Sequence, residues 1–100
     1  MLTRKKIVQI ITKYFKDKPV LKVYLFGSLA RNEANSTSDI DLLVDLDRSY
    51  PIGLEFIQMQ IDLQNLLDHP IDLVTQKSLS KYIRPYVDQE KQLVYEKKDC

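Results

Sequence analysis

Apolar side chains recur along this chain with two different periods, and each period predicts a type of element. In residues 3–16 they recur every three or four positions with lysines on the opposite side, a pattern typical of an amphipathic helix. Residues 20–26 form a short apolar, β-prone run, and residues 39–46 form a second one, so both predict strands. A short helix over residues 28–34 is expected to connect the two strands.

The second half of the chain repeats this order of helix and strand. Residues 52–68 predict the longest helix, and residues 71–74 predict a short buried strand. Residues 77–92 are expected to be helical in part, because Pro85 should kink or restart a helix there, and residues 93–95 form a final apolar run. Helices alternating with short strands predict a small α/β (α+β) domain in which helices pack on a β-sheet.

The predicted helix over 52–68 carries apolar residues on two sides. The stripe that we expect to pack on the sheet contains Phe56, Met59, Leu63, Leu66 and Leu67. The other stripe, called the second stripe below, contains Leu54, Ile57 and Ile61. Two interpretations of the second stripe stand equally: it is covered by the first or last helix, or it forms a contact with another protein.

Composition limits the classes of protein to which this chain can belong. One hundred residues predict a single domain, 1–100, whose 44% hydrophobic and 29% charged residues are typical of globular proteins. A net charge of +1 does not favour direct binding of nucleic acid through a broad positive field. Cys100 has no partner for a disulfide, and no apolar run approaches the roughly 20 residues of a membrane span. We therefore expect a cytoplasmic protein without membrane contact.

Several ring-bearing residues favour structural roles. Tyr82, Tyr86 and Tyr95 are expected in the core rather than in base stacking, because residues at helical spacing usually pack together. His69 stands beside Pro70 at the predicted end of the long helix. It is expected to cap that helix rather than to bind a metal or act as a base.

Carboxylates open the second predicted strand. Asp39 and Asp41 point to the same face of this strand, with Cα atoms roughly 6.6 Å apart at ~3.3 Å per residue. Both can reach the same one or two cations, and Mg²⁺ is typically held by one or two carboxylates together with substrate phosphates. Asp45 shares that face but lies about 13 Å beyond Asp41, so it is not expected to join them. Asp72, in the third strand between two apolar residues, is a candidate third carboxylate.

The pair Gly27-Ser28 follows the first strand and predicts an anion-binding turn. Glycine allows a tight turn and a close approach of ligand, and Ser28 can cap a helix whose first N–H groups favour an anion. Each feature alone is more often structural, but the turn and the carboxylates together favour a site for a nucleotide and metal ions. Arg31 could contact a phosphate or pair with a carboxylate, and the sequence favours neither.

A family resemblance rests on Gly27-Ser28, ten intervening residues and Asp39-x-Asp41. With its flanks, LFGSxAR and SDIDL, this motif resembles the DNA polymerase β-like nucleotidyltransferases, and most of all their minimal (MNT-type) branch. The resemblance covers nearly the whole chain and implies a nucleotidyltransferase (polymerase β palm-like) fold with a small mixed β-sheet. Asn32 stands where the family often has glycine, a departure at a loop-side position.

The resemblance also implies a reaction and its cofactors, namely Mg-dependent transfer of AMP from ATP to a hydroxyl. Asp39 and Asp41 would hold two Mg²⁺ ions. Asp72 would hold the catalytic ion and help to take the proton from the acceptor hydroxyl. Gly27 and Ser28 would bind the triphosphate of ATP.

A partner is implied as well. Relatives that modify antibiotics or extend nucleic acids generally carry a second, acceptor-binding domain, for which 100 residues leave no room, so we expect the acceptor on another molecule. Minimal nucleotidyltransferases are commonly paired with a HEPN-domain RNase toxin, and some act as antitoxins by adenylylating a tyrosine of it. The alternatives are a non-catalytic binding module that neutralises a partner by complex formation, and a nucleotide or RNA sensor. The sequence leaves the oligomeric state open.

Overall fold

The computed structural model describes residues 4–27, 40–46 and 54–97. The predicted helix over 28–34 lies outside these residues. The helices are α1 (Arg4–Phe15), α2 (Leu54–Leu67) and α3 (Arg84–Glu90), with one 3₁₀ turn at Gln76–Ser78. The strands are β1 (Val20–Phe26), β2 (Ile40–Leu46), β3 (Ile71–Thr75) and β4 (Gln92–Glu96). The final apolar run is therefore a strand, and the α/β class predicted from the sequence is confirmed.

The strands form one mixed sheet in the order β3-β2-β1-β4. β1 is antiparallel to both of its neighbours, β2 and β4, whereas β2 and β3 run parallel. Parallel neighbours need a crossover connection, and α2 lies in the segment that joins β2 to β3. β1 and β2 are the central strands, and each of them carries one half of the candidate site.

The core lies on the face of the sheet that α1 and α2 cover. α1 packs against β4, α2 packs against β3, and the two helices contact each other. Their buried residues meet those of the strands in one cluster, with Phe15, Leu25, Leu42 and Leu63 fully buried. Leu42 faces this core, so its chain neighbour Asp41 points to the opposite face of the sheet. In the described part of the chain, no helix has the length and apolarity needed to cross a membrane.

A hydrogen bond between side chains joins the two core helices. The Tyr14 hydroxyl of α1 donates to the Asp62 carboxylate of α2 at 2.7 Å. Burial, together with this bond to Asp62, raises the pKa of Tyr14 above its ordinary value. The contact joins α1 to α2, the helix of the crossover between β2 and β3.

The two apolar stripes of α2 have different surroundings. Met59, Leu63 and Leu67 of the stripe predicted to pack on the sheet are buried, and Phe56 is partly buried against the core. Leu66 was expected among them, but it is 54% exposed, because it lies at the margin of the buried face. The second stripe is solvent-exposed throughout. Its members and their exposed fractions are Leu54 83%, Ile57 57% and Ile61 43%.

α2 ends as the sequence predicts, before Pro70. Asp68 has a positive φ of 52°, a conformation that aspartate tolerates better than most residues and that turns the chain out of the helix. His69 Nδ1 lies 3.1 Å from the Leu67 carbonyl oxygen, in agreement with a capping role. The chain therefore turns tightly after α2 and enters β3 directly.

The expectation of a core position is wrong for two of the three tyrosines. Tyr82 and Tyr86 are 74% and 71% exposed, whereas Tyr95 of β4 is buried. For Tyr82 the reason is that α3 begins only at Arg84, with Pro85 in its first turn, so the residues before it do not follow a helical period; Tyr86 lies within α3, on the exposed side of a helix whose buried residue is Val87. Pro85 therefore restarts the helix, one of the two outcomes expected from the sequence.

Candidate active site

Four strand ends meet at one edge of the sheet. β1 ends where Phe26 pairs with Asp41 near the beginning of β2, and the parallel register places Asp72 of β3 beside Asp41. On the other side of β1, β4 begins where Gln92 pairs with Leu25. The glycine turn and two of the carboxylates predicted from the sequence therefore lie at the same edge.

Gly27 occupies a position that strongly favours glycine. Its φ is +79°, in the region that residues with a Cβ rarely adopt. A Cβ built at this position would overlap the Asp41 Oδ2 atom and would lie 3.1 Å from the Asp41 Cγ atom. The missing side chain thus lets the Asp41 carboxylate lie directly against the turn that follows β1.

Asp41 and Asp72 are neighbours across the parallel pair of strands. Their Cα atoms are register partners, and adjacent strands lie about 4.8 Å apart. A hydrogen bond from the Ile40 N–H to the Pro70 carbonyl oxygen (3.0 Å) fixes this register. Asp41 is partly buried and Asp72 is exposed, so both are accessible to a ligand at the edge of the sheet.

Some predicted site residues lie outside the described part of the chain. These are Ser28, Arg31 and Asp39. Among the described residues, no group of three metal-ligating side chains forms a metal site. Asp41 and Asp72 carry hard carboxylate oxygens on adjacent strands, which as donors would suit Mg²⁺ if phosphate oxygens supplied further ligands. Asp45, which we did not expect in the site, is exposed, and its Cα atom is the register partner of Lys22 toward the other end of β2.

Glu90 is a site residue that the sequence analysis missed. Its carboxylate Oε1 accepts a hydrogen bond from the Gly27 N–H at 3.0 Å. Glu90 is the last residue of α3, and the pairing of β4 with β1 carries it to the glycine turn. No motif marks it, because its position depends on a strand pairing that the sequence alone did not predict.

Comparison with known sequences identifies the family that this chain resembles. A family model described as nucleotidyltransferase domain matches residues 4–99. Protein adenylyltransferase MntA of Thermococcus cleftensis is 37% identical over 94 residues, which cover 90% of this chain and 94% of that protein. Both matches include the glycine turn and the carboxylate strands.

Solved structures show the same fold at lower sequence identity. A toxin–antitoxin complex with AMP-PNP contains a chain that matches with a TM-score of 0.70 at 22% identity, covering 91% of this chain and 73% of that one. A tri-AMPylated Shewanella oneidensis HEPN toxin in complex with an MNT antitoxin gives a TM-score of 0.69 at 21% identity, covering 94% and 73%. The backbone arrangement of strands and helices is thus shared across these proteins.

Proposed function

This chain belongs to the nucleotidyltransferase domain family, and from this premise we propose that it transfers AMP from Mg²⁺-bound ATP to a hydroxyl group of a protein partner. In this transfer a bond forms between the hydroxyl oxygen and the α-phosphorus of ATP, the bond from that phosphorus to the oxygen bridging to the β-phosphate breaks, and pyrophosphate leaves. The family match confirms the resemblance, the fold and the enzyme class expected from the sequence. One observation carries the proposal: Gly27 lies against the Asp41 carboxylate, and Asp41 lies beside Asp72. The turn proposed to bind phosphate is therefore adjacent to two of the carboxylates proposed to bind metal, which is the arrangement that nucleotidyl transfer requires.

Each residue has a proposed task in the reaction. Asp39 and Asp41 would hold the metal ions, and Asp72 would hold the catalytic ion and help to take the proton from the acceptor hydroxyl. Gly27 and Ser28 would bind the triphosphate, Gly27 by letting the phosphates approach the turn closely and Ser28 through its hydroxyl and the N–H groups of the helix expected to follow it. Mg²⁺, when bound, supplies neutralisation of the phosphate charge and activation of the attacking oxygen.

The proposed partner is a HEPN-domain toxin, for which this chain acts as the antitoxin. Support comes from the relative named protein adenylyltransferase and from the fold shared with an MNT antitoxin in complex with an AMPylated HEPN toxin. We propose that residues 1–100 form a single domain. The shared fold with a chain from the AMP-PNP complex supports a nucleotide as the donor.

The first experiment measures transfer directly. The protein and its HEPN partner are incubated with Mg²⁺ and ATP, and both chains are weighed by intact mass spectrometry. We expect a gain of one or more AMP groups on the partner, and no gain with the Asp39→Asn/Asp41→Asn variant or when EDTA removes the metal. A stable complex that silences the partner without any mass gain would instead establish the non-catalytic binding module.

The second stripe of α2 supports a role in binding that partner. Three large apolar side chains exposed along one helix face form the kind of surface that often marks a protein contact. We propose that this face is part of the interface with the partner. The same face would also serve the binding module, so it does not discriminate between the two functions.

Replacing Ile57 and Ile61 with glutamate tests this surface. The double variant is expected to keep the melting temperature of the wild type, since both side chains are exposed. It is expected to bind the partner at least about tenfold more weakly, because glutamate removes the apolar contacts at the centre of the interface and places a charge where water is excluded. Leu66→Glu, at an exposed apolar position outside the stripe, is the matched control. A folded double variant with wild-type affinity by calorimetry would show that this face is not the interface.

A further inference from the structure

Glu90 reaches the glycine turn from a distant part of the chain. Its Oε1 atom lies 3.0 Å from the Gly27 nitrogen, and the two residues are 63 positions apart in sequence. The bond is partly buried.

Gly27 is held on two sides by carboxylates. Glu90 accepts the bond from its N–H, and the Asp41 carboxylate lies against its α-carbon. The peptide between Phe26 and Gly27 is planar, so the direction of its N–H determines the orientation of the whole peptide. The bond to Glu90 therefore sets the orientation of the turn relative to the Asp41 carboxylate. A shift of this peptide would change the space available to the Asp41 carboxylate.

The segment that carries Glu90 is itself anchored. Arg84 Nη2 donates to the carbonyl oxygens of Gln76 (3.0 Å) and Leu79 (3.3 Å), and Val87 of α3 is buried. The Lys91 N–H donates to the Val87 carbonyl oxygen at 2.8 Å and closes the last turn of α3. The helix that carries Glu90 is therefore held in place by its own contacts, and this holds the Glu90 side chain near the turn.

We propose that Glu90 is a positioning residue of the nucleotidyl transfer site, acting through Gly27 on the Asp41 carboxylate. This inference rests on the proposed function, since it assigns Glu90 a task in the same reaction. The required property of Glu90 is an oxygen acceptor at the Gly27 N–H, not its negative charge. Glutamine keeps such an acceptor without the charge, and alanine removes it.

The experiment compares Glu90→Ala and Glu90→Gln with the wild type and with Glu96→Gln as control. Glu96 is an exposed glutamate of β4 that pairs with Lys22, away from the turn. Three quantities are measured for each folded variant: the kcat and KM of Mg-ATP in transfer to the HEPN partner, the affinity for Mg-AMP-PNP, and the Gly27 amide resonance in ¹H–¹⁵N spectra. The spectrum reports the hydrogen bond itself, independently of any activity.

Glu90→Ala is expected to move the Gly27 amide proton upfield and to lower kcat about tenfold or more, the effect of losing an outer-shell partner of a metal ligand. The KM of Mg-ATP should change far less than kcat. Glu90→Gln should restore most of the kcat, and Glu96→Gln should leave both kcat and the Gly27 resonance at their wild-type values.

Several results would overturn the inference. A displaced Gly27 resonance with wild-type kcat in Glu90→Ala would show that the bond is structural only. Equal loss of kcat in both Glu90 variants, with the Gly27 resonance kept in Glu90→Gln, would show that the charge itself acts. Tighter Mg-AMP-PNP binding and faster transfer in both variants would show that Glu90 hinders binding of the nucleotide. All three results require an active wild type, whereas a wild type without transfer or Mg-AMP-PNP binding would refute the proposed function itself.

Discussion

Asp41→Asn is expected to lower AMP transfer at least about 100-fold while the protein stays folded, since even outer-shell partners of metal ligands are worth about 10–100-fold. The Asp41 carboxylate lies between the Gly27 turn and Asp72, where it can bind a metal ion shared with the phosphates. Asparagine keeps the shape of this side chain but removes the charge on which Mg²⁺ binding depends. Single-turnover transfer to the partner, followed by mass spectrometry, measures the loss.

Asp45→Asn is the matched control for this prediction. Asp45 belongs to the same strand and the same face as Asp41, but it is exposed and pairs with Lys22 away from the turn. We expect wild-type transfer from this variant. Near-normal transfer by Asp41→Asn, or an equal loss in both variants, would contradict the assignment of Asp41 as a metal ligand.

Gly27→Ala is expected to reduce both stability and transfer strongly. A non-glycine residue with a left-handed φ costs about 1–2 kcal/mol. Overlap of the new Cβ with the Asp41 carboxylate adds about 1–3 kcal/mol of destabilisation, the cost that overpacking typically has. Urea denaturation measures the change in the free energy of unfolding.

A double-mutant cycle separates the two causes of this loss. In the Asp41→Ala background the carboxylate is absent, so Gly27→Ala should cost only the free energy of placing a non-glycine residue at a left-handed φ. The cost should therefore be smaller there than in the wild type. The same cost in both backgrounds would mean that the contact between the glycine and the carboxylate does not limit this position.

The sequence predicts the strands of the site well because their signals are local. Val20–Phe26 agrees with the predicted strand at both ends, and Asp72 lies on a strand adjacent to Asp41 as expected. Apolar runs bounded by glycine, proline and aspartate fix such elements through side-chain alternation alone. The positions of Asp41 and Asp72 followed from that alternation together with the motif.

The sequence predicts the last third of the chain less well because its structure depends on distant contacts. The spacing of Tyr82 and Tyr86 resembles a helical period, but the helix starts after Tyr82 and buries Val87 rather than Tyr86, so both rings are exposed. Glu90 carries no local signal at all, since only the pairing of β4 with β1 brings it to Gly27. Ser28, Arg31 and Asp39 remain predictions, because they lie outside the described residues.

The pairing of β4 with β1 has a consequence for synthesis on the ribosome. Gly27 and Asp41 are made well before Glu90, and at about 5–20 residues per second the interval between Asp41 and Glu90 lasts roughly 2–10 s. During that interval the nascent chain carries the nucleotidyltransferase motif, but the acceptor for the Gly27 N–H does not yet exist. Transfer should therefore reach its full rate only after the last strand has paired with β1, so a truncated product that lacks β4 is expected to modify a partner more slowly than the whole chain.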